Sequence, residues 1–177
     1  MKKALPAIMV LLSAIICACM TFLLYSLYYP IKFKSEIERS AAEFGLPPAL
    51  ICSIINVESS FNENARSNKG AVGLMQLMSA TAKSVAIALD ENFDESMLLD
   101  VETNIRYGSY YISSLLKSFE FEEALCAYNA GPTKVRNWLK SSEYSDDGVK
   151  LKNIPFEETR QYVERIKKNL NFYQKKF

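Results

Sequence analysis

The chain contains no histidine. Catalysis by imidazole and histidine-ligated metal sites are thereby excluded, and any chemistry falls to carboxylates, hydroxyls, amides, lysines or thiols. Net charge is also scarce, since 21 Lys and Arg against 20 Asp and Glu leave +1 over 177 residues. So balanced a chain offers no electrostatic footprint for a polyanion, and no nucleic-acid partner is expected. Only four cysteines are present. Cys17 and Cys19 fall in an apolar N-terminal run, leaving Cys52 and Cys126, too few for a disulfide scaffold. Both sit in apolar helical contexts and read as buried thiols, with a bridge between them the minor alternative. Period-two alternation, internal repeats and low-complexity tracts are missing as well, which argues against a sheet protein or a solenoid.

What is present begins with a charge-free stretch over residues 4–31, dominated by Ile, Leu, Val, Met, Ala and Phe between residues 7 and 27. Its length suggests an N-terminal transmembrane helix, and Tyr25, Tyr28 and Tyr29 at its end suit a membrane interface. A cleaved signal peptide and a lipidated Cys19 are the competing readings. Lys2 and Lys3 on one side and Lys32, Lys34 and Arg39 on the other do not fix its orientation. The expected division is residues 1–31 as cytoplasmic tip and anchor, 32–46 as a connecting amphipathic helix, and 47–177 as one helical domain, a size that holds a single core.

Within the soluble part, Gly45 and Pro47-Pro48 stop one helix and start another over residues 48–58. Residues 60–73 form a polar loop. Ser79 is expected to cap a short helix, Asp100 to open a longer one with Ile105, Ile112 and Leu115 on its inner face, and Pro155 to start the last. Two short helices, 122–128 and 133–140, flank Asn129-Ala130-Gly131-Pro132. The fold class is therefore mostly α.

One carboxylate is out of place. Glu58 follows Ile51, Ile54 and Ile55 by seven, four and three positions and shares their helical face, with Ser53 and Asn56 pointing away. Burial there disfavours its charged form, and a helix C-terminus pushes the same way, so Glu58 reads as a general acid. The other acids, among them Asp90, Glu91, Asp94, Glu95, Glu122, Glu123, Glu157 and Glu158, read as surface or capping carboxylates. An ion pair with Arg66 is the reading that would make Glu58 merely structural.

Four short motifs carry a resemblance. Val57-Glu58-Ser59-Ser60-Phe61-Asn62, residues 65–78 from Ala65-Arg66-Ser67 to Gly73-Leu74-Met75-Gln76-Leu77-Met78, Ala127-Tyr128-Asn129-Ala130-Gly131, and Pro155-Phe156-Glu157-Glu158-Thr159-Arg160-Gln161-Tyr162-Val163 occur in order. Together they resemble the soluble-type (SLT) lytic transglycosylases, relatives of goose-type lysozyme. That resemblance implies a lysozyme-like helical fold and Glu58 as the single catalytic acid/base. It also implies cleavage of the MurNAc-GlcNAc β-1,4 bond of peptidoglycan to leave 1,6-anhydromuramoyl ends. Ser67, Gln76 and Met78 would lie in the cleft, Tyr128 and Tyr162 near the acid, and Asn129 on substrate. No cofactor or metal is implied. The expected partners are peptidoglycan glycan strands and, through the N-terminal helix, the membrane, for a monomer whose catalytic domain lies outside the cell membrane. A hydrolytic muramidase, a non-catalytic peptidoglycan-binding module and a wall-opening subunit of a larger envelope machine are the alternatives.

Overall fold

The computed structural model describes residues 4–177 and divides into two compact units, the first ending at Ile31 and the second comprising Lys32–Phe177. The first holds α1 (Ala4–Tyr28). The transmembrane expectation is corrected here, because among the described residues no helix is long and apolar enough to cross a membrane.

The second unit is built from α2 (Lys34–Phe44), α3 (Pro48–Ser59), α4 (Ser79–Ala88), a 3-10 turn at Glu95–Leu99, α5 (Val101–Leu116), α6 (Phe121–Ala130), α7 (Pro132–Leu139) and α8 (Glu157–Tyr173). Extended pairing among the described residues is limited to isolated bridges, Arg66 with Val72 and Val72 with Leu77. Asp100 caps α5 as expected, its side chain accepting from the Thr103 amide at 2.8 Å. Two starts differ from expectation. Ser79 is the first residue of α4 instead of its cap, and α8 begins at Glu157, because Pro155 and Phe156 remain outside the helix. Glu123 is not a surface acid either; it is 4 % exposed and accepts from the Leu151 amide at 2.8 Å, tying the loop before α8 to α6.

The central element is α3. Pro48 occupies its first turn, where a missing N–H costs nothing. Every residue from Ala49 to Asn56 is buried, so the helix is not a striped surface element but a core helix enclosed on all sides. The two hydrogen-bonding side chains of this buried stretch, Ser53 and Asn56, are satisfied internally. Ser53 donates to the Ala49 carbonyl at 2.6 Å, and Asn56 accepts from Asn169 Nδ2 of α8 at 2.8 Å. α8 and α2 pack on α3, while α5 packs on α2, α4 and α6.

α3 ends abruptly. Ser60 and Phe61 are both left-handed, at φ 51° and 61°, a conformation that costs a side-chain-bearing residue roughly 1 kcal/mol or more. Burial of the Phe61 ring, 1 % exposed and against Tyr173 at 6.4 Å between centroids, offsets that strain. The chain leaves the helix at Ser60, and this places Glu58 in its last turn.

A second device shapes the 72–77 segment. Asn104, 1 % exposed on α5, accepts from the Met75 amide at 2.8 Å and donates to the Val72 and Leu98 carbonyls at 3.0 and 2.9 Å. Its amide thus replaces a strand partner that the segment lacks. Gly73 (φ 80°) fits only as glycine, since a Cβ there would collide with the Asn104 side chain and lie 2.5 Å from the Leu98 oxygen.

Candidate active site

Glu58 sits near the C-terminus of α3, part-exposed at the surface yet surrounded by protein. Burial raises its pKa from 4.5 to about 7, against a hydrogen-bonding interaction with Tyr162 and the positive charge of Arg165, both of which lower it; the charge of Glu158 adds to the rise. Near neutrality this carboxyl is therefore poised between acid and base. Arg66 does not pair with it: Arg66 is exposed and takes no part in an ion pair among the described residues. The cation acting on Glu58 is Arg165 of α8, whose guanidinium donates to the Val57 carbonyl at 3.4 Å.

Two tyrosines close on the acid. Tyr162 is 6 % exposed, and its hydroxyl has no partner of regular hydrogen-bond geometry, although it lies near enough to favour the Glu58 carboxylate. A badly aligned contact of this kind is common in ligand-free catalytic sites. The Tyr128 hydroxyl donates to the Met75 carbonyl at 2.9 Å, so it fastens α6 to the 72–77 segment instead of orienting Glu58 directly. Burial first, and then the charge of Glu58, hold both phenols well above their usual pKa. Tyr111 stacks obliquely on Tyr128 at 5.2 Å.

The remaining sequence candidates divide. Gln76, left-handed at φ 48°, uses its amide N–H groups internally, donating to Ala65 and Gly73 carbonyls at 3.1 and 2.9 Å. Only its oxygen is left to meet a ligand. Met78 is exposed, at 44 %. Ser67 is also exposed and closes its own turn by accepting from the Ala71 amide at 2.9 Å, with no contact to Glu58. Asn129 accepts from Thr159 Oγ1 at 2.8 Å, joining α6 to α8. The lone tryptophan, Trp138, packs edge-on against Phe156 at 5.1 Å. Cys52 and Cys126 are buried free thiols, each pushed by burial to about 12.

Sequence reasoning missed Asn104 and Arg165. An asparagine on the inner face of α5 between Val101 and Ile105 was the available signal for the first; nothing local marked the second. Glu158 was read as a capping acid, yet its charge reaches Glu58, and it pairs with Lys69 of the 67–71 turn at 3.6 Å in an exposed contact.

The family described as "Transglycosylase SLT domain" matches residues 35–149. The soluble lytic murein transglycosylase of Escherichia coli K12 is 34 % identical over 143 residues, covering 78 % of this chain and 22 % of that protein. A transglycosylase of enterobacteria phage PRD1 is 35 % identical over 126 residues, 70 % of this chain and 43 % of its own. Among solved structures, an inactive glutamate-to-glutamine mutant of lytic transglycosylase Slt from Pseudomonas aeruginosa superposes with a TM-score of 0.73 at 34 % identity, covering 84 % of this chain and 25 % of that one. The chain thus spans about a quarter or less of the length of the cellular relatives, and a little under half of the phage protein.

Proposed function

The chain belongs to the transglycosylase SLT domain family, and from that premise we propose that its Lys32–Phe177 unit is a peptidoglycan lytic transglycosylase of the cell envelope. The bond cleaved is the β-1,4 linkage between MurNAc and GlcNAc, with 1,6-anhydromuramoyl ends as product. The observation that carries this reading is the Glu58 carboxyl, held at about 7 at the closed end of a core helix and faced by Tyr162 and Tyr128. Protonated, it donates to the glycosidic oxygen as that bond breaks. As carboxylate, it then accepts the proton of the substrate's own C6 hydroxyl, whose oxygen closes onto the anomeric carbon. One residue serves both steps, and no water is consumed.

Ordinary glycosidases use a second carboxylate as nucleophile or base. The carboxylate whose charge reaches Glu58 is Glu158, which is exposed and paired with Lys69, a solvated group unlike a buried nucleophile. Gln76, with its oxygen free, exposed Met78 and half-buried Asn129 are the expected substrate contacts, together with Ser67 at the rim. Mass spectrometry of digested peptidoglycan tests the proposal: anhydro ends are expected, and reducing ends would identify a hydrolytic muramidase instead.

A further inference from the structure

Two side-chain amides of the cleft are held in opposite senses. Gln76 spends its donors on the Ala65 and Gly73 carbonyls, at 3.1 and 2.9 Å, and keeps its oxygen free. Asn129 does the reverse: its oxygen accepts from Thr159 Oγ1 of α8 at 2.8 Å, and its Nδ2 donates to no group among the described residues. That nitrogen is not enclosed either, since the buried side-chain atoms without a partner among the described residues are Ser109 Oγ and the Tyr162 hydroxyl. Thr159 sets the sense of the Asn129 amide. It is 1 % exposed, and Asn129 takes its hydroxyl proton; with the amide reversed, an N–H would meet Oγ1 and that proton would be left in a buried place without an acceptor.

We infer that Thr159 is a positioning residue for the reaction: its hydroxyl fixes the Asn129 amide so that Nδ2 donates to an oxygen of the bound glycan. The inference rests on the transglycosylase reading of the Glu58 site. Placement supports it. Thr159 and Tyr162 stand three positions apart on α8 and share a face of that helix, while Tyr128 and Asn129 adjoin at the end of α6, which packs on α8. One face of α8 thus brings Tyr162 toward Glu58 and Thr159 against Asn129. From the other side, the Tyr128 hydroxyl donates to the Met75 carbonyl at 2.9 Å, which fastens the Asn129 end of α6 to the residue before Gln76. An untethered asparagine could offer either edge of its amide, because the two edges have nearly the same shape. Tethering selects the donor edge before substrate arrives and spares the cost of ordering it on binding.

Two measurements on the full chain test this. In the first, cleavage of solubilised glycan strands is followed for three variants. Thr159→Val removes the hydroxyl at nearly constant volume and should raise KM about tenfold, with kcat and the alkaline limb near pH 7 in place. Thr159→Ser keeps the hydroxyl and should stay within about twofold of the wild type. Asn129→Asp keeps an acceptor for Thr159 but has no N–H, so its KM should also rise about tenfold while thermal unfolding stays where it was. A wild-type KM in Thr159→Val or Asn129→Asp, or a Thr159→Ser as weak as Thr159→Val, overturns the inference, because the bond would then only join α6 to α8. If Thr159→Val does not fold, Asn129→Asp and Thr159→Ser decide. In the second measurement, a tetramer of N-acetylglucosamine is titrated into isotope-labelled Glu58→Gln, and the side-chain NH2 signals of Asn129 are followed. They should shift to saturation, with about tenfold weaker affinity once Thr159→Val is added; no shift of these signals, or equal affinity, overturns the inference. Should the wild type leave glycan uncut, the transglycosylase reading fails, and the titration still decides the role of Thr159.

Discussion

Glu58 and Glu91 each meet a tyrosine hydroxyl and an arginine, yet their acidities move in opposite directions. Glu91 accepts from Arg106 at 2.5 Å and from the Tyr107 hydroxyl at 3.0 Å at the protein surface, and these contacts hold its pKa below the ordinary value. Glu58 has Tyr162 and Arg165 nearby, but burial outweighs both and lifts it to about 7. The chemical inventory is similar; water decides the outcome. A guanidinium in direct contact with a surface carboxylate anchors a charge, whereas one acting from a distance on a carboxylate surrounded by protein only tempers the penalty of burial.

The largest expected effect removes the enclosed acid. Glu58→Gln should lower cleavage by about 10³-fold or more, as read by release of muropeptides, while leaving binding to insoluble glycan intact; retained cleavage would dissolve the contrast with Glu91. Next, Asn104→Ala leaves three backbone groups of the 72–77 and 98 segments unsatisfied and should cost about 2–4 kcal/mol in denaturant unfolding, with cleavage falling in the folded fraction as Gln76 loses its position. A smaller stability effect follows from linkage. Unfolded, a glutamate gives up its proton near 4.5, whereas folded Glu58 keeps it to about 7. The contribution of the protonated form is complete below 4.5 and is lost as pH rises through 7. Glu58→Gln should therefore be more stable than the wild type at pH 8 by the order of 1–3 kcal/mol, with little difference at pH 4.

Tyr162→Phe is finer. Loss of a group that favours the Glu58 carboxylate should move the alkaline limb of the rate profile upward from about pH 7 and cost roughly threefold to tenfold in kcat; a downward shift would show that the phenol instead supports the protonated form. The smallest effect belongs to the other member of the comparison. Arg106→Met breaks contacts to Glu43 and Glu91 and should cost about 1 kcal/mol in thermal unfolding, with the pH profile of cleavage unchanged.

Sequence patterning located the helices and put Glu58 near the end of one, because proline, glycine and apolar spacing act locally. It misjudged the surroundings of α3: with Ser53 and Asn56 on one side, the segment mimics a surface stripe, although Ser53 turns back onto its own helix and Asn56 meets Asn169 from the far end of the chain. The partners of Asn104 and Arg165 were illegible for the same reason, since their contacts reach 29 residues to Met75 and 108 to Val57. The motif around Gln76 was visible, but not that the glutamine spends its donors on the loop. The apolar composition of residues 4–31 suggested a bilayer span, but among the described residues no helix is long and apolar enough to cross a membrane.

The enclosure of α3 also governs how the protein loses activity. A helix buried from Ala49 to Asn56 has no exposed flank from which to open, so its amides exchange with solvent only when the whole unit comes apart. Glu58 is bolted to the last segment to let go. Heat inactivation and global unfolding should consequently follow a single curve, and a partly denatured population would consist of fully active and fully dead molecules with nothing between.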